Sequence, residues 1–300
     1  MNPEGTAIYI KKDIHLLSSI DELCAELMRL EPKIHCLFLT AGYMTLRGRT
    51  ETVEGLDRKM AVNYYSRMRC ITQLLPPIRA AAEAHELSRV ISVLAAGSEG
   101  DVRMDDLELK HNFTLFACLA HCVVMTDFAI EELARREPNI AFSHSYPGTV
   151  KTGIANELPG PARLAVKVLY AVMTPWILNV QESGERHYFQ MTSKCYPARN
   201  GGVGIEKPEG LSVMQGSDGE DESGAYLLDW DGKPAGDEAV LKKYRDLGMN
   251  KVVWDHLTFI FERAERLTRE AKATGKRKAE EEAEGSGRFA PYIPAGWRAG

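Results

Sequence analysis

Short apolar segments alternate with longer amphipathic segments along the first half of the chain. Short apolar segments predict strands at residues 6–10, which are rich in β-branched and aromatic residues, and at residues 34–39, 89–94 and 140–145. The segments between them carry apolar residues at helical spacing, as in the series Ile20, Leu23, Leu27 and Leu30. Strands separated by helices imply right-handed crossovers, so the pattern predicts an α/β fold with a parallel sheet flanked by helices.

The first predicted helix has its own start and stop signals. Ser18 or Ser19 is placed to cap it, Glu22 is placed to complete a capping box, and Pro32 ends it. Longer helical patterns cover residues 53–84, 114–136 and 159–191.

The second half of the chain is less regular. A glycine-rich and acidic segment, residues 201–223, predicts a loop, and residues 225–229 predict a late edge strand. The amphipathic segment 238–269 predicts one or two C-terminal helices. The composition then changes to KATGKRKAEEEAEGSG, which predicts a disordered tail or a frayed helix. The expected organisation is one domain over residues 1–268 and a tail over residues 269–300.

Composition narrows the range of partners. The chain has 300 residues, 44% of them hydrophobic, and a formal net charge of -5. This apolar content is sufficient for a full core. Because acidic and basic residues are interspersed, the charge predicts neither nucleic acid nor a membrane as a partner and favours a small molecule or a protein.

The cysteines and the absence of long apolar runs suggest a cytoplasmic protein. The six cysteines stand singly in apolar segments, without the paired spacing of a disulfide framework or a zinc site. Cys118 and Cys122 lie one turn apart beside His121, but the sequence offers no fourth ligand, so no metal is predicted. No apolar run approaches the ~20 residues that span a bilayer, and the first residues do not have the pattern of a secretory leader.

Distinctive residues follow three of the predicted strands: Asp13, the turn Thr40-Ala41-Gly42, and the run PGTVKTG that begins at Pro147. Ligands of open parallel sheets bind at the carboxyl ends of the strands. Together with Asn63 in a helix and the strand RVISVL, this ordered set resembles the short-chain dehydrogenase/reductase superfamily over residues 7–191. The motifs TAGYM, GRTETVEGLD and SHSYPGTVKTGI are most similar to a fungal subgroup associated with secondary-metabolite pathways.

The resemblance implies a site for NADP or NAD. The positions that match cofactor-binding residues of the family are Asp13, Ala41, Gly42, Pro147, Gly148 and Thr152. Asp13 matches an aspartate that accepts a hydrogen bond from the adenine amino group, although it also suits a strand-end cap. Ala41 and Gly42 match the end of an Asn-Ala-Gly turn in which Thr40 replaces the asparagine. Thr152 matches a threonine that contacts the nicotinamide amide or the diphosphate.

The resemblance also assigns a role to Asn63 and to two helices. Asn63 matches the asparagine that organises a proton-relay water in active members, and a buried, hydrogen-bonded structural asparagine is the alternative. In active relatives the helices equivalent to residues 53–84 and 114–136 often build dimers, so a homodimer is expected by analogy.

One part of the family pattern is missing from the sequence. The TGxxxGxG loop, whose backbone amides hold the diphosphate, does not occur, and the nearest imitation, Gly201-Gly202-Val203-Gly204, has no strand before it. The sequence resembles the family from its third strand onward. This predicts an N-terminally truncated Rossmann-like sheet, in which the strand at residues 34–39 lacks one neighbour. A rearranged sheet and an incomplete gene product are the two explanations.

The catalytic residues of the family are also replaced. Family chemistry uses a tyrosine as acid/base, a lysine one turn later that lowers its pKa, and a serine that positions the carbonyl oxygen. Alignment of the motifs places Phe113 at the tyrosine, Ala117 at the lysine and Ala95 at the serine. These residues exchange no proton, so the usual mechanism is excluded.

Three other residues are candidates near this site. His121, two turns beyond Phe113, is a candidate catalytic acid/base because histidine titrates near neutrality, and a packed helix histidine is the alternative. His144 and Ser145 precede the Pro-Gly turn and are either ligand contacts or structural residues at a strand end.

The leading hypothesis for function is an NAD(P)-dependent oxidoreductase that acts on a carbonyl or alcohol of a small molecule in a fungal secondary-metabolite pathway. The alternatives are a catalytically inactive scaffold or partner-binding protein with the same fold, and a truncated gene product.

Overall fold

Four parallel strands form one sheet in the computed structural model, which describes residues 5–150, 158–172 and 177–274, with side chains as far as residue 270. The strands are β1 (Cys36–Leu39), β2 (Arg89–Val93), β3 (Ala141–Ser145) and β4 (Ala225–Leu228). They lie side by side in chain order, with Leu37 opposite Val90 and Val90 opposite Phe142. The α/β fold with a parallel sheet is thereby confirmed.

Helices occupy most of the segments between the strands. They are α1 (Leu17–Leu30), α2 (Arg58–Met60), α3 (Ser66–Glu83), α4 (Leu115–Arg136), α5 (Gly160–Val172), α6 (Val180–Thr192), α7 (Glu238–Asp246) and α8 (Met249–Thr274). A π-helical stretch, Ala61–Tyr65, joins α2 to α3. Residues 201–223 contain no helix or strand, as the sequence predicts.

The starts of two helices differ from the prediction. The helix expected from residue 53 begins at Arg58, because the Asp57 carboxylate caps it by accepting from the backbone N–H groups of Lys59 and Met60. The capping box at α1 does not form. Instead the buried Glu54 carboxylate accepts from the N–H groups of Leu17 (2.6 Å) and Ser18 (2.9 Å), since an ionised carboxylate is a stronger acceptor than a serine hydroxyl.

The predicted strand at residues 6–10 is wrong. This segment is extended but pairs with no strand of the described residues, and Ile8 and Tyr9 are 59% and 74% exposed. A strand is stabilised by its neighbours, and β1 lies at the edge of the sheet, with Phe38 39% exposed. The expectation that the strand at residues 34–39 lacks one neighbour is therefore confirmed.

The two faces of the sheet carry separate apolar clusters. Leu227 belongs to the main core with α3, α4 and α8, whereas Tyr226 and Leu228 pack with Cys195 and Tyr196. Successive strand residues point to opposite faces, so these clusters lie on opposite sides of the sheet.

Helix α8 covers α4. Every residue of α4 from His121 to Ala134 is buried, and α8 packs along α4 and α1. Residues 121–134 of the helix that analogy assigns to a dimer are thus buried within the same chain, whereas Leu115, Phe116 and Leu119 are exposed. The homodimer stays a prediction. Helix α8 extends to Thr274, past the predicted domain boundary at residue 268. The remainder of the predicted tail lies outside the described residues.

Among the helices that the structure describes, none combines the length and apolarity needed to cross a bilayer.

Candidate ligand site at the carboxyl edge of the sheet

A buried arginine holds the loops that follow β1 and β2. The Arg67 guanidinium donates to the carbonyl oxygens of Ala41 (2.5 Å) and Val93 (2.7 Å), to the Ser92 hydroxyl (2.8 Å) and, at longer range, to the carbonyl oxygen of Leu39 (3.4 Å). Burial lowers the pKa of Arg67 to about 10, so the group stays charged at neutral pH. Within the described residues no carboxylate pairs with it. Arg67 therefore places an uncompensated cation at the carboxyl edge.

Asn63 fixes the same loop from one turn earlier in the helix. Its side-chain oxygen accepts from the backbone N–H of Tyr43 (3.0 Å), and its amide nitrogen donates to the carbonyl oxygen of Tyr43 (3.0 Å). Both ends of the amide are engaged by one residue of the turn. This geometry matches the structural alternative for Asn63 and holds the exposed residues Ala41 and Gly42 in place.

Asp13 lies close to this turn through His15 and Tyr43. One Asp13 oxygen accepts from both the backbone N–H (2.9 Å) and the Nδ1 (2.9 Å) of His15, and the His15 ring meets the Tyr43 ring edge-on with centroids 4.9 Å apart. The hydrogen bond from the His15 side chain is the main cause of a lowered Asp13 pKa. The structure thus brings Asp13, Asn63 and the Ala41-Gly42 turn together.

His144 and Asp127 form a fully buried pair behind the end of β2. His144 Nδ1 lies 2.6 Å from Asp127 Oδ1, and His144 Nε2 accepts from the backbone N–H of Ala95 (3.1 Å). Because Nε2 accepts a hydrogen bond from a backbone donor, the ring proton is assigned to Nδ1, which donates it to Asp127. The pair therefore fixes the backbone at Ala95, the position that matches the family's serine.

Burial controls the ionisation of this pair. It lowers the pKa of His144 to about 3, with the charge of Arg67 acting in the same direction. Burial also raises the pKa of Asp127 well above its usual value, helped by the carboxylates of Glu99 and Glu131. Burial thus favours the uncharged form of each side chain, and their contact is a hydrogen bond.

The turn after β3 is covered by two side chains. Gly148 has φ +74°, and a Cβ at this position would lie 2.6 Å from Leu178 Cδ1 and 3.0 Å from Trp230 Cβ. The N–H of Leu178 donates to the carbonyl oxygen of Thr149 (3.0 Å), which anchors Leu178 there. The space that a side chain at Gly148 would occupy is therefore filled by protein. Thr152 lies outside the described residues.

Replacing Gly148 with alanine is expected to lower the free energy of unfolding by about 2 kcal/mol, because the backbone is left-handed there and the methyl group meets Leu178 and Trp230. Urea denaturation measures the change. Gly48→Ala is the control, since a Cβ at Gly48 has no atom within 4 Å. Equal stabilities for the two variants would contradict the close packing at Gly148.

His121 is held inside the loop between β2 and α4. Its Nε2 accepts from the backbone N–H of Arg103 (3.0 Å), and its Nδ1 donates to the carbonyl oxygen of Leu107 (3.2 Å). Burial is the main cause of its lowered pKa. Both ring nitrogens are engaged by backbone, so the geometry matches the packed-histidine alternative more closely than the acid/base role.

A buried lysine contacts the ring that stands at the tyrosine position. The Lys59 ammonium lies 4.8 Å from the centre of the Phe113 ring, donates to the carbonyl oxygen of Gly48 (2.9 Å) and pairs with Asp57 (3.3 Å). Ala117, at the lysine position, is partly buried in the core. A lysine therefore stands beside residue 113, although it comes from α2 rather than α4.

Comparison with known proteins assigns the family. The chain is 40% identical over 270 residues to oxidoreductase AN1596 of Emericella nidulans, a match that covers 88% of this chain and 79% of that protein. The chain belongs to the short-chain dehydrogenase/reductase superfamily. Within it, the relatives place the chain in the fungal, secondary-metabolism-type group.

Further relatives carry related names. The NmrA-like family domain-containing oxidoreductase notO of an Aspergillus species is 36% identical over 91% of this chain and 77% of its own length. The short-chain dehydrogenase/reductase SAT2 of Stachybotrys chartarum is 26% identical over 81% of this chain and 72% of its own length. No protein-family model matches the sequence.

Several site residues of this superfamily member were not anticipated from the sequence. Arg67 and Lys59 were missed, although Lys59, Asn63 and Arg67 recur at four-residue spacing in a largely apolar helix. That polar series indicates one helix side directed at a common target. In the described part of the chain, no group of three or more His, Cys, Asp or Glu side chains is arranged to hold a metal ion.

Proposed function

We propose that this short-chain dehydrogenase/reductase superfamily member is an NAD(P)-dependent oxidoreductase that transfers hydride between the nicotinamide and a carbonyl or alcohol of a small molecule in a secondary-metabolite pathway. The observation that carries the proposal is the 40% identity to an oxidoreductase over 79% of that protein's length. The carboxyl edge of the sheet is the proposed site, because open parallel sheets bind ligands there.

The residues of this edge fit a dinucleotide on one side. Ala41 and Gly42 are exposed and small, so a bound cofactor can approach the backbone at the end of β1, and Asn63 and Arg67 hold that turn in place. On the β3 side, Leu178 fills the space at Gly148. The proposed cofactor position is therefore over the β1 turn, where the cofactor would supply the hydride.

Proton transfer is the weak step of the proposed reaction. Ala95, Phe113 and Ala117 carry no titratable group at the positions that match the family's serine, tyrosine and lysine. Reduction of a carbonyl needs a proton as well as a hydride. We therefore expect slow turnover, with the proton taken from water.

The second candidate is a ligand-binding protein without turnover. It is favoured by Ala95, Phe113 and Ala117, because these residues supply no proton and hydride transfer alone does not complete the reduction. The partner in this case is also a small molecule or a protein, and nucleic acid is not expected because the charges are interspersed.

Titration with NADPH and with NADH, followed by cofactor fluorescence, tests the proposal. We expect binding by the intact chain and at least about tenfold weaker binding by Gly42→Val, which blocks the β1 turn. Gly48→Val is the matched control, since the space around Gly48 is open. No binding of either cofactor would exclude the oxidoreductase, and binding without NADPH oxidation by a panel of ketones would favour the second candidate.

A further inference from the structure

Arg89 is a second buried arginine, and it lies at the opposite edge of the sheet. It is the first residue of β2 and is 4% exposed. Its guanidinium makes one hydrogen bond within the described residues, from Nη1 to the carbonyl oxygen of Gln190 (3.1 Å), and no carboxylate of those residues pairs with it. Arg67, at similar burial, donates to four acceptors. Arg89 is thus a buried cation whose donors are largely unused.

The glycine-rich segment that imitates a phosphate loop in the sequence packs against this guanidinium. A Cβ at Gly204 would lie 3.2 Å from Arg89 Nη2 and 2.6 Å from the carbonyl oxygen of Thr192, so only glycine allows the backbone this close. The preceding residues Gly201, Gly202 and Val203 continue as the wall of a cavity.

Arg89 lines that cavity, which has a volume of about 330 Å³. Ser88 and Asn200 contribute polar side chains to it, and Glu83 and Glu86 contribute carboxylates. The negative charge of Glu86 is balanced by a partner, because its two carboxylate oxygens lie 2.5 Å from Lys33 Nζ and 2.8 Å from His35 Nε2.

Burial of an arginine without a counter-charge is costly. Burial is the main cause of the lowering of the Arg89 pKa to about 10. A bound anion would remove this cost, because a guanidinium forms paired hydrogen bonds with the oxygens of a phosphate or a carboxylate. Such a group can approach Arg89 from the cavity that this residue lines.

We propose that the cavity at the amino edge of the sheet is an anion site, in which the Arg89 guanidinium and the Gly201–Gly204 segment bind a phosphate or carboxylate group of a small molecule. The site is separate from the carboxyl edge and does not depend on the proposed oxidoreductase activity. Its size suits a small anion rather than a dinucleotide.

The test uses the full chain and two probes, inorganic phosphate and acetate, titrated at constant ionic strength. Calorimetry measures affinity, and amide chemical shifts locate the binding. We expect saturable binding of at least one probe, with shifts at Gly201, Gly202 and Gly204. The stronger probe identifies the anion class. Failure of both probes to bind, or shifts confined to other residues, would overturn the proposal.

Variants at two arginines make the test specific. Arg89→Met is expected to weaken binding at least about tenfold. Arg89→Lys keeps the positive charge but loses the planar, paired N–H donors of the guanidinium, so it is expected to weaken binding to a smaller degree. It gives a second measurement if the methionine variant does not fold. Arg79→Met is the control, because Arg79 is exposed and paired with Glu137. Unchanged binding by Arg89→Met, or by Arg89→Lys where only that variant folds, would refute the site.

Discussion

Replacing Arg67 with methionine is expected to lower the free energy of unfolding by about 3 kcal/mol. The substitution leaves the carbonyl oxygens of Ala41 and Val93 and the hydroxyl of Ser92 without this donor, at the ends of β1 and β2. Each buried acceptor left unsatisfied costs about 1–3 kcal/mol. Removal of a buried charge offsets part of this loss. Urea denaturation at neutral pH measures the difference.

Arg89→Met is the matched comparison for this prediction. Arg67 and Arg89 are 3% and 4% exposed, but Arg89 donates one hydrogen bond whereas Arg67 donates four. A buried charge with few partners is often replaced by an apolar residue at little cost. We therefore expect Arg89→Met to lie within about 1 kcal/mol of the natural protein. Equal losses for the two variants would contradict the role of Arg67 as a clamp.

The loss at Arg67 should also be visible at the candidate site. Arg67→Lys keeps a positive charge, but a single ammonium donates at most three hydrogen bonds and cannot span both loops. We expect an intermediate loss of stability and altered amide chemical shifts at Ala41 and Gly42. Shifts identical to those of the natural protein would show that the turn is held by Asn63 alone.

The parallel sheet could be predicted because its strands are marked by local sequence. The strands at residues 89–94 and 140–145 are short segments with an apolar core between long helices, and both form within one residue of the prediction. Residues 6–10 have the same local signal and fail, because a strand also needs a neighbour. Pairing depends on the whole sheet and is not visible in five residues.

The site was less predictable because its contacts join distant parts of the chain. Asp13, Asn63, Ala41 and Gly42 come together as the family pattern implies. The partner of Asp13, however, is His15, and the cap of α1 is Glu54. Gly148 matches a cofactor-binding position of the family, and in the structure a Cβ there would meet Leu178 and Trp230. A glycine in the sequence indicates a close approach without identifying what approaches.

Acidification is expected to destabilise the protein through its buried histidines. His256 Nε2 forms a hydrogen bond with the Tyr65 hydroxyl (2.9 Å), and burial is the main cause of the lowering of the His256 pKa to about 4. In the unfolded chain this histidine binds a proton near pH 6.5. Stability is therefore complete above about pH 6.5 and is lost as the pH falls toward about 4.

The size of the effect follows from the shift. A pH of about 5 lies about 1.5 units below the pKa of His256 in the unfolded chain. Protonation of this histidine therefore stabilises the unfolded state by roughly 2 kcal/mol. The pKa values of His121 and His187 are lowered by burial as well, so they add to the loss. Urea denaturation at about pH 7 and pH 5 measures the total.

The buried pair His144 and Asp127 is expected to contribute little in this window, because the shifts of its two pKa values act in opposite directions on stability. Protonation of the unfolded histidine destabilises the fold as the pH falls, because burial lowers the pKa of His144. The raised pKa of Asp127 acts in the opposite direction, because it adds stability as the pH falls.

Substitutions separate these contributions. His256→Gln keeps an acceptor for Tyr65 and removes the titration, so the fall in stability between pH 7 and pH 5 should shrink by about 2 kcal/mol. His111→Gln is the control, because His111 is exposed, and should leave the fall unchanged. His144→Gln leaves the raised pKa of Asp127 unopposed, so the contribution of Asp127 to stability should fall as the pH rises above about 4. An unchanged fall in His256→Gln would show that His256 is protonated in the folded protein.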